Sequence, residues 1–459
     1  MTDYSIRDFG AVGDGKTNDA AAIQAAIDRC HAGGGGRVVA PAGGNYRTGT
    51  FTLKSNVEFH VERGAAVLGS GDASDYQTVQ VSDSRRRSIG YPDVPDSIAL
   101  ITAYGAENIA ITGGGVIDGG GKHFIATELP YIYRMKPQRP FTFFFIGCNN
   151  VTFRDIVIRD GALWTVRLSG CDDVLIHAIH IQNDLKLPNN DGIDLDHCRN
   201  VRISDCHIVC GDDCIVLKTC KDAGDFGPCE NITVTGCTLV STSSALIIGC
   251  EAHAPMRNVV FDSCVVQSSH RGLAIRLSHE SDVENVIFSN MVVETRIFHE
   301  DWWGRGEPIC ISAHPWTAQD QIGHVRHVRF SNILCRGESG VFIQGWAPDR
   351  VEDIVLENVR VEVDKWSKWP GGRHDLRPWP SQDSLPEHPT AGFFIKNAHH
   401  VTLRDCEVAW GATRPDYFRH ALESHHVDGL RLQQFRGQAA HPDKYDALLL
   451  VDTRLEPGG

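Results

Sequence analysis

The chain has 459 residues, with 44 Lys and Arg against 58 Asp and Glu, so its formal net charge is −14. An acidic balance excludes a protein whose affinity rests on clustered cations neutralising phosphates, and no apolar stretch nears the roughly 20 residues that cross a bilayer. With 45 glycines, 20 prolines and 42% hydrophobic residues, the composition is that of a turn-rich protein with a large core, not a disordered one.

The opening MTDYSIRDFGAVGDGKTND has neither the basic start nor the apolar run of a secretory leader. As given, it predicts a cytoplasmic address, or a secreted or periplasmic one if a leader has been trimmed. NDAAAIQAAIDRC follows, with Asn18 or Asp19 as N-cap and Ala22, Ile23, Ala26 and Ile27 as an apolar stripe, which predicts a capping helix. Together with GGGGRVVAPAG, which reads as tight turns, it makes an N-terminal cap over about residues 1–50. The run Arg85, Arg86 and Arg87 reads as a solvated loop.

From Asn150 onward one pattern recurs: Asn, Asp or His, an apolar-polar alternation, a small or polar turn, and a second alternation. Copies start at Asn150, Asp173, Asn200, Asn231, Asn258 and Asn285, spaced by 23, 27, 31, 27 and 27 residues, and again at His327, Asp353 and His400. Short strands of period two, without a crossover helix between them, stack as parallel sheets around a continuous apolar interior. The fold class is therefore all-β, a single-stranded parallel β-helix running through residues 1–459 as one domain. Fifteen scattered cysteines without CxxC pairs, among them Cys206, Cys237 and Cys264 at equivalent places, read as buried thiols. Wider spacings of 42 residues after Asn285 and 47 after Asp353 predict inserted loops over about 294–326 and 362–399.

In the central coils lie NNDGIDLDHC (Asn189 to Cys198) and CGDDCIVLK (Cys210 to Lys218). Asp191 and Asp212 are 21 residues apart, close to one coil, so stacking would bring Asp191 beside Asp212 and Asp213. Like charges this close can leave one carboxyl protonated beside ionised partners, as glycosidic cleavage requires. An acid and a base roughly 6.5 to 9.5 Å apart would invert the anomeric carbon. Solvated turn aspartates or a calcium site are the competing readings. Alternation also sets a difficulty: with Ile193, Leu195, Ile215 and Leu217 inside, Asp191 and Asp213 take core parity. The trio shares a cleft only if the backbone bends before the strands, at Gly211 and at Asn189 and Asn190.

Arg167 (one coil before Asp191), Lys218 and Arg276 are candidate contacts to a sugar acid, with surface ion pairs as the alternative. Trp302 and Trp303, in FHEDWWGRGEP, offer indole faces for a sugar ring or a hydrophobic anchor for the loop. His197, His253 and His279 carry no assigned chemistry.

DFGAVGDGKTNDAAAIQAAID, NNDGIDLDHCRNVRI, GDDCIVLKT, CENITVTGC and the IIG of ALIIGCE together resemble glycoside hydrolase family 28, the polygalacturonases and rhamnogalacturonan hydrolases. The resemblance implies a right-handed β-helix and an inverting hydrolase that needs no metal or other cofactor. It makes Asp212 the general acid and gives Asp191 and Asp213 the attacking water. Two positions depart from the family. Ser244 stands where its histidine would be, and Ala274 replaces the arginine of an Arg-Ile-Lys segment whose lysine is here Arg276.

The sequence thus predicts a pectin-active hydrolase, exo-acting because of the inserted loops, working as a monomer on an oligosaccharide without nucleic-acid or membrane partners. A galacturonide or rhamnogalacturonan linkage, or a neutral terminal sugar such as rhamnose, remains open. A calcium-dependent lyase and a non-catalytic glycan-binding β-helix are the alternatives from other classes.

Overall fold

The computed structural model describes residues 2–80, 97–377 and 384–456, which leaves the Arg85 to Arg87 run outside the described residues. The chain divides into two compact units, residues 1–215 with 220–232, and 216–219 with 233–459. Each is built from right-handed parallel β-helix coils.

In the first unit three parallel ladders run from coil to coil, and their registers carry the core. One column is Val38, Phe59, Ile111, Phe153, Ile176 and Ile203. A second is Phe51, Ile101, Phe143, Val166 and Ile193. All are essentially solvent-free. Period-two alternation sends these side chains inward and their neighbours outward, and parallel registry puts like on like. The predicted helix is Ala20–Ala32, burying Ile23, Ala26, Ile27 and Cys30. Asp19 takes the N-cap position without capping by its side chain, which turns away to accept the amides of Val12 and Gly13, and Asn18 accepts the Ala20 amide at 3.1 Å instead. Strands Gly36–Ala40 and Asn45–Thr48 already belong to the ladders, so the coil begins inside the expected cap.

The second unit continues the same logic in longer strands. Ile248, Ile275, Ile311, Ile343 and Ile395 form one buried column. Phe261, Phe288 and Phe330 form another, with ring centroids 4.8 Å apart at each step, which is the strand spacing itself.

The residues that open the sequence repeat have a shared backbone role. Asn150, Asp173, Asn200, Asn231, Asn258, Asn285, His327, Asp353 and His400 all adopt φ between 49° and 60°. Left-handed backbone is costly for most side chains, and Asn, Asp and His tolerate it best. Several also ladder: Asn150 donates to Asn108 at 2.8 Å, and Asn285 to Asn258 at 3.2 Å. All fifteen cysteines are buried free thiols. The interval expected as one loop over 294–326 is interrupted by strand Glu307–Ala313, and the second insertion gives way to strand Phe393–Arg404 before residue 399. Both strands lack an Asn or His turn marker at their start, so no copy of the sequence repeat announces them.

Candidate functional site

The three aspartates are in the first unit, and each precedes its strand rather than sitting in it. Strand Ile193–Asp196 starts after Asp191, and strand Ile215–Thr219 starts after Asp213. Strand parity therefore does not govern them, which removes the difficulty posed by alternation. Asn189 is left-handed at φ 58°, so the chain turns just ahead of Asp191. The two turns stack directly: the Gly192 amide donates to the Asp213 carbonyl at 2.9 Å, and the Gly211 amide to the Asn190 side chain at 2.6 Å. Only glycine fits at either place. A Cβ on Gly192 would lie 2.4 Å from the Cys214 carbonyl oxygen, and one on Gly211 2.4 Å from that of Leu187.

One carboxylate oxygen from each of Asp191, Asp212 and Asp213 lies within 4.8 Å of the others. Asp191 is 2% exposed, whereas Asp212 is half-buried. Asp212 is held by two backbone donors, the Asn189 amide on Oδ2 at 2.9 Å and the Asp213 amide on Oδ1 at 3.1 Å. The nearest oxygens are closer than the roughly 6.5 Å lower limit expected between the carboxyls of an inverting pair. The arrangement can hold one proton and one water among three carboxylates, and such a set of oxygens also suits a hard cation.

Sequence reasoning missed the residues that hold these turns. Arg139 donates to the Ala162 and Pro188 carbonyls at 2.8 and 2.6 Å and to the Asn189 side chain at 2.8 Å. Asn183 donates to the Asn190 carbonyl at 2.9 Å. Asn190 stands inside the quoted motif, but Arg139 lies 50 residues before Asn189 with no local signal.

Arg167 is placed away from any surface. Fully buried, it makes ion pairs with Asp222 at 2.6 Å and Asp196 at 3.0 Å, and lies 4.4 Å from the Phe144 ring centroid and 4.8 Å from that of Trp164. Burial opposes its charge, but Asp222 and Asp196 hold the guanidinium firmly protonated. These partners occupy the fork that a sugar carboxylate would need, so it serves to pin the segment around Asp222 rather than to meet substrate.

The remaining candidates are in the second unit. Lys218 pairs with Glu251 at 3.4 Å; burial alone would raise the Glu251 carboxyl, but Lys218 holds it below its ordinary value. Arg276 is 1% exposed and donates to Ser312 at 3.3 Å, with Trp303 over it at 5.7 Å from the ring centroid. Its Nη1 is buried without a hydrogen-bond acceptor. Trp302 is 4% exposed, and its carbonyl accepts from Arg377 at 2.7 Å, so it anchors the loop, whereas Trp303 is half-buried. Ser244 is buried and in register with Arg271 on the next strand. Two acids pin the inserted loops. Asp375 accepts from Gly304, Arg271 and Arg377, and Glu338 accepts the amides of Ile297 and Trp366. Burial alone would raise the Asp375 carboxyl, but Arg377 and Arg271 hold it far below the usual range.

Among the described residues, no helix is long and apolar enough to cross a membrane. A model of rhamnogalacturonase A/epimerase, pectate lyase-like proteins matches residues 4–66. A probable polygalacturonase of Vitis vinifera is 31% identical over 261 residues, covering 53% of this chain and 50% of the relative. An exo-poly-alpha-D-galacturonosidase of Dickeya chrysanthemi is 27% identical over 253 residues, covering 46% and 41%. The chain thus spans about half or less of the length of the curated relatives it matches. Among solved structures, the family 28 exopolygalacturonase of Yersinia enterocolitica superposes with a TM-score of 0.71 at 20% identity, over 94% of this chain and 78% of that one. The exopolygalacturonase of Thermotoga maritima gives 0.59 at 22% identity, over 90% and 93%. The model of glycosyl hydrolases family 28 itself covers residues 39–297, more than half of the chain and the whole aspartate trio, so the chain belongs to that family.

Proposed function

We propose that this chain hydrolyses a galacturonide-type linkage at the end of a pectin-derived oligosaccharide, with the inversion at the anomeric carbon that the family resemblance, rather than the spacing of the trio, supports. The observation that carries the reading is the convergence of Asp191, Asp212 and Asp213 within 4.8 Å on two stacked turns. Two carboxylates whose nearest oxygens lie no more than 4.8 Å apart repel by at least about 3.5 kcal/mol at an effective dielectric of about 20. That cost favours keeping one proton within the trio, available for the departing glycosidic oxygen. Asp212, more exposed than the buried Asp191, is the donor. Asp191 and Asp213 orient a water and take its proton.

Within the second unit, taken by itself, Arg276 is a proposed contact for a carboxylate. Its buried Nη1 without an acceptor is an energetic liability that a carboxylate would remove. Trp303, half-buried over the Arg276 guanidinium, is the indole proposed to cover the sugar ring. Exo action is supported by exopolygalacturonases among the similar structures.

The test is incubation with defined oligogalacturonides, reading released sugar and anomer by NMR. Terminal monosaccharide or disaccharide of inverted configuration is expected. Random early fragments overturn exo action, and a retained anomer overturns inversion, which the close spacing of the trio makes the sharper question. A second reading, a calcium-dependent lyase, is favoured by the same clustered oxygens. It predicts an unsaturated, ultraviolet-absorbing product and loss of activity with chelator.

A further inference from the structure

Three groups of potential metal donors occur among the described residues. One is the aspartate trio. The second, Asp196, Cys220 and Asp222, is already filled by the Arg167 guanidinium. The third lies in the second unit, outside every role assigned above.

Glu423 and His425 are alternate residues of strand Leu422–Gln433, so their side chains leave the same face of the sheet. His388 reaches them from the end of the inserted loop. His425 Nε2 lies 2.7 Å from Glu423 Oε1, and His388 Nε2 lies 3.3 Å from the same oxygen. The donor atoms all fall within 4.8 Å of one another. Glu423 is 5% exposed.

The hydrogen bonding of His388 gives a second, geometric indication. Its Nδ1 is 2.7 Å from the Pro389 carbonyl, which can only accept, so Nδ1 carries the proton. With Nδ1 committed to that carbonyl, Nε2 is the nitrogen that faces Glu423, 3.3 Å from its Oε1. A backbone carbonyl that fixes the far nitrogen is the usual outer partner of a metal-binding imidazole. Phe394 packs on the set, with ring centroids 5.0 Å from His388 and 6.0 Å from His425, and His374 stacks on His388 at 4.3 Å. Lys396 is in register with His425 on the neighbouring strand, and a dication held by two neutral imidazoles and Glu423 keeps a positive charge that a further anion would balance.

We propose that His388, Glu423 and His425 form a binding site for a divalent transition metal of the zinc class, which ties the inserted loop to the sheet. Two imidazoles and one carboxylate are a donor set that zinc accepts, with a fourth position for water or an anion. The proposal is independent of the glycosidase reading.

The experiment is a zinc titration of chelator-treated full chain in competition with a chromophoric chelator. One equivalent per chain with micromolar or tighter affinity is expected. Because the chain has 22 histidines, assignment rests on variants. His388→Gln and His425→Ala should each weaken binding by at least about 100-fold. Asp212→Asn should leave it unchanged. Cobalt bound to the unaltered protein keeps the test open if a variant fails to fold: visible bands of a low-coordinate, imidazole-bound ion are expected. Absence of a tight equivalent, or one unaffected by both histidine substitutions or lost in Asp212→Asn, overturns the site and leaves a cluster held by protons alone.

Discussion

Asp212→Asn separates chemistry from architecture, because the structure sets opposing effects on folding and a single effect on turnover. The carboxylate accepts one backbone amide on each oxygen, from Asn189 at 2.9 Å and Asp213 at 3.1 Å. An amide has one acceptor and one donor, so one of the two amides must face an NH2 group, at a cost of about 1–3 kcal/mol if fully buried and less at this half-buried position. Against that, an amide cannot ionise, so the substitution abolishes the fully ionised state in which Asp212 would be repelled by two carboxylates held within 4.8 Å. The variant should fold with a melting temperature within a few degrees of the parent. Turnover should fall by about 10²–10⁴, the usual contribution of a positioned general acid. The assay is product formation on a defined oligogalacturonide, with thermal unfolding and oligosaccharide binding measured in parallel. Binding should persist. Turnover within tenfold of the parent, with folding and binding intact, would refute the assignment of Asp212 as acid.

Asp191→Asn and Asp213→Asn should each also reduce turnover by at least about 10²-fold, and the double variant by far less than the product of the two, since both serve one water; multiplicative losses argue against a shared role. Gly211→Ala places a Cβ 2.4 Å from the Leu187 carbonyl oxygen, so the turn must shift; activity should fall more than stability, and an unperturbed enzyme would show that the turn is dispensable. Arg276→Ala should raise KM on oligogalacturonides about tenfold or more while the parent loses activity on methyl-esterified chains, and full parental activity on esters would remove the proposed contact. The pH profile of stability has two parts. Burial and Arg276 push His314 down to about 4 from 6.5, so the unfolded state binds its proton first. Stability should be complete above pH 6.5 and fall by about 3 kcal/mol towards pH 4. Asp375, whose pKa is depressed by Arg377 and Arg271, contributes above its ordinary 3.8 and is lost only below it. Denaturant unfolding of parent and His314→Asn across this range checks both, and identical slopes between pH 6.5 and 4.5 would count against the histidine.

Much of the fold was legible because its determinants are local. Alternation of period two set which side chains face inward, and the Asn, Asp and His residues that open each copy mark the left-handed corners where the coil turns. The same spacing put Asp191 one coil from Asp212 and Asp213. What alternation could not supply was the direction of those carboxylates, since the turns at Asn189 and Gly211 remove them from strand parity. Nor could it show that Arg167 is enclosed by Asp196 and Asp222, or that strand Glu307–Ala313 crosses an interval without a turn marker. Arg139 and the set of His388, Glu423 and His425 had no motif at all, because their partners are brought in by loops of irregular length. Periodicity is written residue by residue and is therefore determined by the sequence alone, whereas the path of a loop depends on which buried charges it must neutralise, as Asp375 does for Arg271, and only the packed chain decides that.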